Sequence, residues 1–127
     1  MTFGITADTL ATGYGYIEVE DRNVDVMDVA SFTEKPDLAN AQSYLGQGRF
    51  FWNSGIFMVT ARSCLQSFHA LQPDRCNLAD ACWQARIMRN DEIILPRPHL
   101  QTVPSISVDY AIMELQSNIA LLPFTGT

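Results

Sequence analysis

Hydrophobic and polar positions change period several times along the chain, and each change predicts an element. Residues 2–6 form a short apolar start, and Tyr14-Gly-Tyr-Ile-Glu-Val-Glu20 alternates as a half-buried strand does. Val24, Val26 and Val29 continue that style into Ser31-Phe-Thr-Glu-Lys35. Pro36 suits a first helical turn, and Asp37 is favourable near its positive end. Leu38, Ala41, Tyr44 and Leu45 keep helical spacing, with Gly46 placed to stop the helix. Arg49-Phe-Phe-Trp52 and Ile56-Phe-Met-Val59 predict two short strands around the polar break Asn53-Ser54-Gly55. Thr60 can cap a helix carrying Leu65, Phe68 and Leu71 on one face, ended by Pro73.

A third helix is expected over about 74–88, with Leu78, Cys82 and Ala85 inward, then a proline-bearing loop over 90–104. Ser107 can cap a short helix over 108–115, and Ile119-Ala-Leu-Leu122 predicts a last strand before Pro123-Phe-Thr-Gly-Thr127. Strands and helices alternate throughout, which implies an α/β fold with a mixed sheet. A strand running into a turn at the very end suggests a truncated domain.

Composition narrows the function. Of 127 residues 47% are apolar and 17% charged, enough to build a core without metals or disulfides. Asp and Glu outnumber Lys and Arg 14 to 8, for a net charge of −6, which argues against a nucleic-acid partner. No apolar run reaches membrane-spanning length, and Asp8 falls where a signal peptide would be apolar. A cytoplasmic chain with no membrane partner is expected. Cys64, Cys76 and Cys82 contain no Cys-x-x-Cys pair, and neither His69 nor His99 has metal-ligand spacing to them. Reduced, buried or half-buried thiols and no metal site are therefore expected.

Four segments could carry chemistry. In Phe32-Thr-Glu-Lys-Pro-Asp37 an acid and a base adjoin where a strand gives way to a helix. Ligands of open α/β sheets gather at such strand ends. There Lys35 suits a phosphate and Glu34 suits sugar hydroxyls, although on spacing alone a solvated Glu–Lys pair is the commoner outcome. Asn53 offers both a donor and an acceptor within Phe51-Trp-Asn-Ser-Gly-Ile-Phe57, or simply marks a polar turn. Gly13 and Gly15 in Thr12-Gly-Tyr-Gly-Tyr-Ile17 permit close approach of a ring or another backbone, or mark a bulge without a ligand. Asp109, in Ser105-Ile-Ser-Val-Asp-Tyr-Ala-Ile-Met-Glu114, falls in a first helical turn, where a carboxylate is stable without any function. No phosphate-cradling glycine loop and no nucleophile–base pair is present.

Together with Thr2-Phe-Gly-Ile-Thr and Ile119-Ala-Leu-Leu-Pro, these segments occur in the order seen in mannose-1-phosphate guanylyltransferases. The chain resembles that family over nearly its whole length, particularly the bacterial type often fused to a phosphomannose isomerase. The resemblance implies a Rossmann-like sugar nucleotidyltransferase α/β/α sandwich. It implies attack of mannose 1-phosphate on the α-phosphorus of GTP, with Mg²⁺, to give GDP-mannose and pyrophosphate. It assigns the catalytic role to Lys35, at the sugar phosphate, and hexose hydroxyls to Glu34. Asn53 falls to the sugar pocket, Gly15 to the approach of the hexose ring, and Asp109 to the pocket wall or the layer behind it.

The family's glycine-rich nucleotide segment, with its Arg and Lys, and both metal-binding aspartates have no counterpart here. One partial domain over 1–127 is expected, carrying the sugar-phosphate portion, binding no Mg²⁺ alone and inactive by itself. The 74–89 stretch fits the family less well. Uncovered sheet edges predict a homo-oligomer. Two rivals stand beside this reading: a non-catalytic remnant or association module that at most binds sugar phosphate, and a nucleotidyltransferase for another sugar 1-phosphate.

Overall fold

The computed structural model describes residues 1–124, so the end of the turn expected after Pro123 lies outside the described residues. It divides into two compact units, Met1–Thr60 with Met113–Thr127 and Ala61–Ile112. The fold is α/β with a mixed sheet, as the alternation implies.

The first unit holds β1 (Thr2–Thr6), β2 (Tyr16–Val19), β3 (Met27–Thr33), α1 (Leu38–Gln47), β4 (Phe50–Phe57) and the C-terminal β7 (Ala120–Phe124). Strand order is β1-β4-β2-β3-β7, and β7 also pairs with β1, so the five strands close on themselves. Only the β1–β7 pairing is parallel.

Successive side chains on a strand point to opposite faces, and here both faces are apolar. Ile17, Phe51 and Leu121 join Val19, Met27, Phe32, Met113 and Ile119 in one core. Their neighbours Tyr16 and Phe50 turn the other way, onto Ala41 of α1. Tyr44 of α1 stacks on Phe50 at 4.3 Å between centroids. Gly4 lies where a Cβ would stand 2.7 Å from Leu121 Cδ1 and 2.9 Å from Phe51 Cβ, so the core closes over a bare backbone there.

Three expected elements differ in this unit. Asp37 is the N-cap of α1 rather than a first-turn residue, its carboxylate accepting the Asn40 N–H at 2.8 Å. The helix runs through Gly46 and stops at Gly48, whose φ of 68° gives the left-handed cap. The two strands expected around Asn53-Ser54-Gly55 are one, β4, because side chains satisfy the backbone through the irregularity. Ser54 Oγ donates to the Phe3 carbonyl at 2.6 Å and accepts the Ile56 N–H at 3.2 Å. Gly55, at φ 72°, donates its N–H to Asn53 Oδ1 at 3.1 Å.

The second unit holds α2 (Ala61–Leu71), α3 (Pro73–Gln84), β5 (Ile87–Arg89), β6 (Glu92–Ile94) and α4 (Arg97–Leu100). Helix α3 stops four residues short of the expected Met88. The chain instead turns at Asn90, φ 53°, and pairs Ile87 with Ile94 and Met88 with Ile93. A two-residue Asn-Asp connection favours that tight hairpin over either a longer helix or an open loop. The helix expected over 108–115 is a π-helical turn at Asp109–Met113, its entry held by the Ser107 carbonyl, which accepts the Ala111 N–H at 2.9 Å.

The three cysteines are free, Cys64 half-buried and Cys76 and Cys82 buried. Burial pushes the Cys76 thiol above its ordinary pKa, and the neighbouring Asp80 charge adds to the rise. Among the described residues no helix is long and apolar enough to cross a membrane.

Candidate functional site

Strand β2 begins one residue after Gly15, β3 ends one residue before Glu34, and Asn53 lies within β4. Because β2 pairs with both β3 and β4, these three positions meet at one end of the ladder. The Asn53 N–H donates to the Gly15 carbonyl at 2.8 Å, which fixes the two backbones together. A Cβ on Gly15 would lie 2.5 Å from Glu34 Oε2, 3.3 Å from Phe32 Cζ and 3.4 Å from Asn53 Cβ. A side chain at position 15 would take the space of the Glu34 carboxylate and force it to move.

That carboxylate is unusual. The Glu34 side chain is only 9% exposed, and its Oε2 is buried with no hydrogen-bond partner. Buried carboxylate oxygens are normally bonded, since an unmet acceptor carries a desolvation cost. Its other oxygen, Oε1, faces Lys35 Nζ at 3.5 Å. The Lys35 side chain is 59% exposed, so this pair contributes little stability and leaves the cation able to turn toward an incoming anion.

Lys35 has φ 45°, a left-handed conformation that non-glycine residues seldom adopt. Such strain costs of order 1–3 kcal/mol and persists where the surroundings impose it. Here the chain must leave β3, place two successive charged side chains at one sheet end, and enter α1 through buried Pro36. The strand rule that would send Glu34 and Lys35 to opposite faces is broken at this corner, as the sequence allowed.

Asn53 Oδ1 is held by the Gly55 N–H, which orients the amide. Trp52 points away from Asn53 and packs beside Tyr16 and Phe50, with Tyr14 at 5.3 Å between centroids. Gly15, Glu34, Lys35 and Asn53 therefore share one cluster in the first unit. Asp109 belongs to the second unit. Sequence reasoning passed over Glu114, whose Oε1 accepts the Glu34 N–H at 2.8 Å from 80 positions along the chain. Its place at the end of the Ser105–Glu114 segment was the only signal.

Among the described residues no group of three or more His, Cys, Asp or Glu side chains is arranged to hold a metal.

The nucleotidyl transferase family model matches residues 1–86. The xanthan biosynthesis protein XanB of Xanthomonas campestris pv. campestris (strain B100) is 38% identical over 126 residues, covering 97% of this chain and 26% of that protein. A mannose-1-phosphate guanylyltransferase of Klebsiella pneumoniae is 39% identical over 121 residues, covering 90% of this chain and 25% of that protein. The chain thus spans about a quarter of the length of these curated relatives. A crystal structure of mannose-6-phosphate isomerase from Helicobacter pylori superposes with a TM-score of 0.88 at 26% identity, covering 99% of this chain and 50% of that one.

Proposed function

The chain belongs to the nucleotidyl transferase family, and we propose on that premise that its Gly15–Glu34–Lys35–Asn53 cluster binds the sugar 1-phosphate of a mannose-1-phosphate guanylyltransferase. One observation carries this reading: Glu34 Oε2 is buried and unbonded beside a glycine and a half-free lysine. A carboxylate in that state calls for hydrogen-bond donors, and hexose hydroxyls supply them. Lys35 supplies a mobile positive charge one residue away, at the reach of the phosphate on the same ligand. Asn53, its amide oriented by Gly55, borders the sugar.

In this reading the cluster orients the sugar phosphate so that a phosphate oxygen attacks the α-phosphorus of GTP. The new P–O bond forms as the α–β bond breaks, and pyrophosphate leaves. Such transfers depend on positioning and charge neutralisation, so the chain needs no nucleophile of its own. The names of the relatives support mannose 1-phosphate and GTP as the substrates.

Gly15→Ala tests the geometry. The added methyl takes the place of Glu34 Oε2 and expels the carboxylate, while Phe32 and Asn53 need to yield only slightly. Mannose 1-phosphate binding, measured by calorimetry, is expected to weaken roughly tenfold, the scale of one lost charge-assisted contact. The melting transition should be retained. An unchanged affinity would remove Glu34 from the sugar pocket.

For the 127-residue chain alone we expect binding without turnover, because the resembled family's glycine-rich nucleotide segment and metal-binding aspartates have no counterpart in its sequence. Metal stabilisation of the transferring phosphoryl group supplies several kcal/mol in such reactions. The chain incubated with GTP, mannose 1-phosphate and Mg²⁺ is expected to form no GDP-mannose above a no-protein control. Clear turnover in a preparation free of host enzyme would refute this.

Self-association is also expected. Ile87, Met88, Ile93 and Ile94 on the β5–β6 hairpin are between 36% and 61% exposed, and a lone two-stranded sheet is marginal in water. Sedimentation velocity at micromolar concentration should show species heavier than the 14.2 kDa monomer. Replacing Met88 with Lys should shift them toward the monomer. A clean wild-type monomer would count against a homo-oligomer.

A further inference from the structure

The Glu34–Lys35 corner stands where the β2–β3 ladder runs out. Tyr16 and Thr33 are the last residues paired between β2 and β3, and on the other side of β3 the strand β7 pairs only with Met27 and Asp28. The Glu34 N–H thus lies beyond both ladders. The Glu114 carboxylate meets it instead, at 2.8 Å. Glu114 is exposed, but the residue before it, Met113, is buried in the core with Phe32 and Phe51 and anchors its backbone. Immediately after this bond the chain enters the left-handed conformation of Lys35.

We infer that Glu114 is a positioning residue, which holds the Glu34 backbone so that the Glu34 carboxylate and the Lys35 ammonium keep their orientation toward the ligand. This rests on the sugar-phosphate reading for its consequence, but the bond itself is independent of any ligand. A charged acceptor suits the place: a bond from N–H to carboxylate is stronger than one to a neutral carbonyl. It holds a strained turn without touching the ligand.

The test compares wild type, Glu114→Ala and Glu114→Gln in the whole chain. Amide hydrogen exchange at Glu34, read by NMR, reports the bond, and titration with mannose 1-phosphate reports its effect. Glu114→Ala should speed Glu34 exchange and weaken mannose 1-phosphate binding, each roughly tenfold, with exchange at Ile17 and Phe51 unchanged. Glu114→Gln keeps an acceptor oxygen at the same reach and should restore most of both. A merely structural role would speed exchange across the core and would not separate Ala from Gln.

Unchanged Glu34 exchange in Glu114→Ala overturns the inference. So does faster exchange with undiminished mannose 1-phosphate affinity. If the wild-type chain binds no mannose 1-phosphate, the sugar-phosphate reading fails, and Glu34 exchange alone then decides whether Glu114 holds the corner.

Discussion

Lys35→Ala should weaken mannose 1-phosphate binding by about 10- to 200-fold, the equivalent of roughly 1.5–3 kcal/mol for a hydrogen bond to a charged group. The substitution is a clean probe. Lys35 is 59% exposed at its side chain and contributes little to the fold, so its loss is read at the ligand. Alanine at φ 45° carries about the same backbone strain as lysine, so the corner is not relaxed by the change. Glu34→Gln should also weaken binding, through the hydroxyls, so its penalty should differ between hexoses. The Lys35 penalty should be nearly the same whichever hexose bears the phosphate. Calorimetry with two hexose 1-phosphates, and kcat/KM in a full-length relative carrying the matching changes, measures both. If Lys35→Ala binds like wild type, the Glu34–Lys35 pair is only a surface pair.

The other large effect is on stability. Phe51 is 2% exposed and lies in the core with Ile17 and Leu121, with the Arg22 guanidinium 4.7 Å from its ring centre. Gly4 packs against its Cβ from the neighbouring strand, so little can collapse into the space its ring would vacate. Phe51→Ala should cost about 3–5 kcal/mol. Small domains hold only about 5–15 kcal/mol in all, so much of the margin would go. Urea denaturation followed by fluorescence checks this, with Ile56→Ala as a control on the same strand. Ile56 is 60% exposed, and its truncation should cost under about 1 kcal/mol. Equal penalties at the two positions would mean that the buried start of β4 contributes no more to stability than its exposed end.

Periodicity located most elements because it reports which face of a local segment is apolar. It found β1, β3, α1, α2 and the last strand to within a few residues. It failed where non-local or side-chain bonding overrode the local signal. Ser54 bonds the Phe3 carbonyl across to β1 and keeps β4 whole, a contact between residues 51 positions apart. Asp37 is the N-cap, and Pro36 lies before the helix rather than in its first turn, because the Asp37 carboxylate reaches the Asn40 N–H. The β5–β6 hairpin was hidden because Ile87 and Met88 also fit a continuing helix, and only their pairing with Ile94 and Ile93 distinguishes the two.

By itself the sequence determined the α/β class and the placing of Glu34 and Lys35 at a strand-to-helix corner. These follow from composition, local period and the conformational habits of proline and glycine. The tertiary structure alone decided that Gly15 is bare because Glu34 Oε2 fills its side-chain space. It alone decided that Asn53 ties its backbone to Gly15 and that Glu114 meets the Glu34 N–H. Those facts depend on which strands pair and in what register, and on where a ladder ends and strands an N–H. Register is set by packing between segments far apart in the chain, and no local pattern of residues carries it.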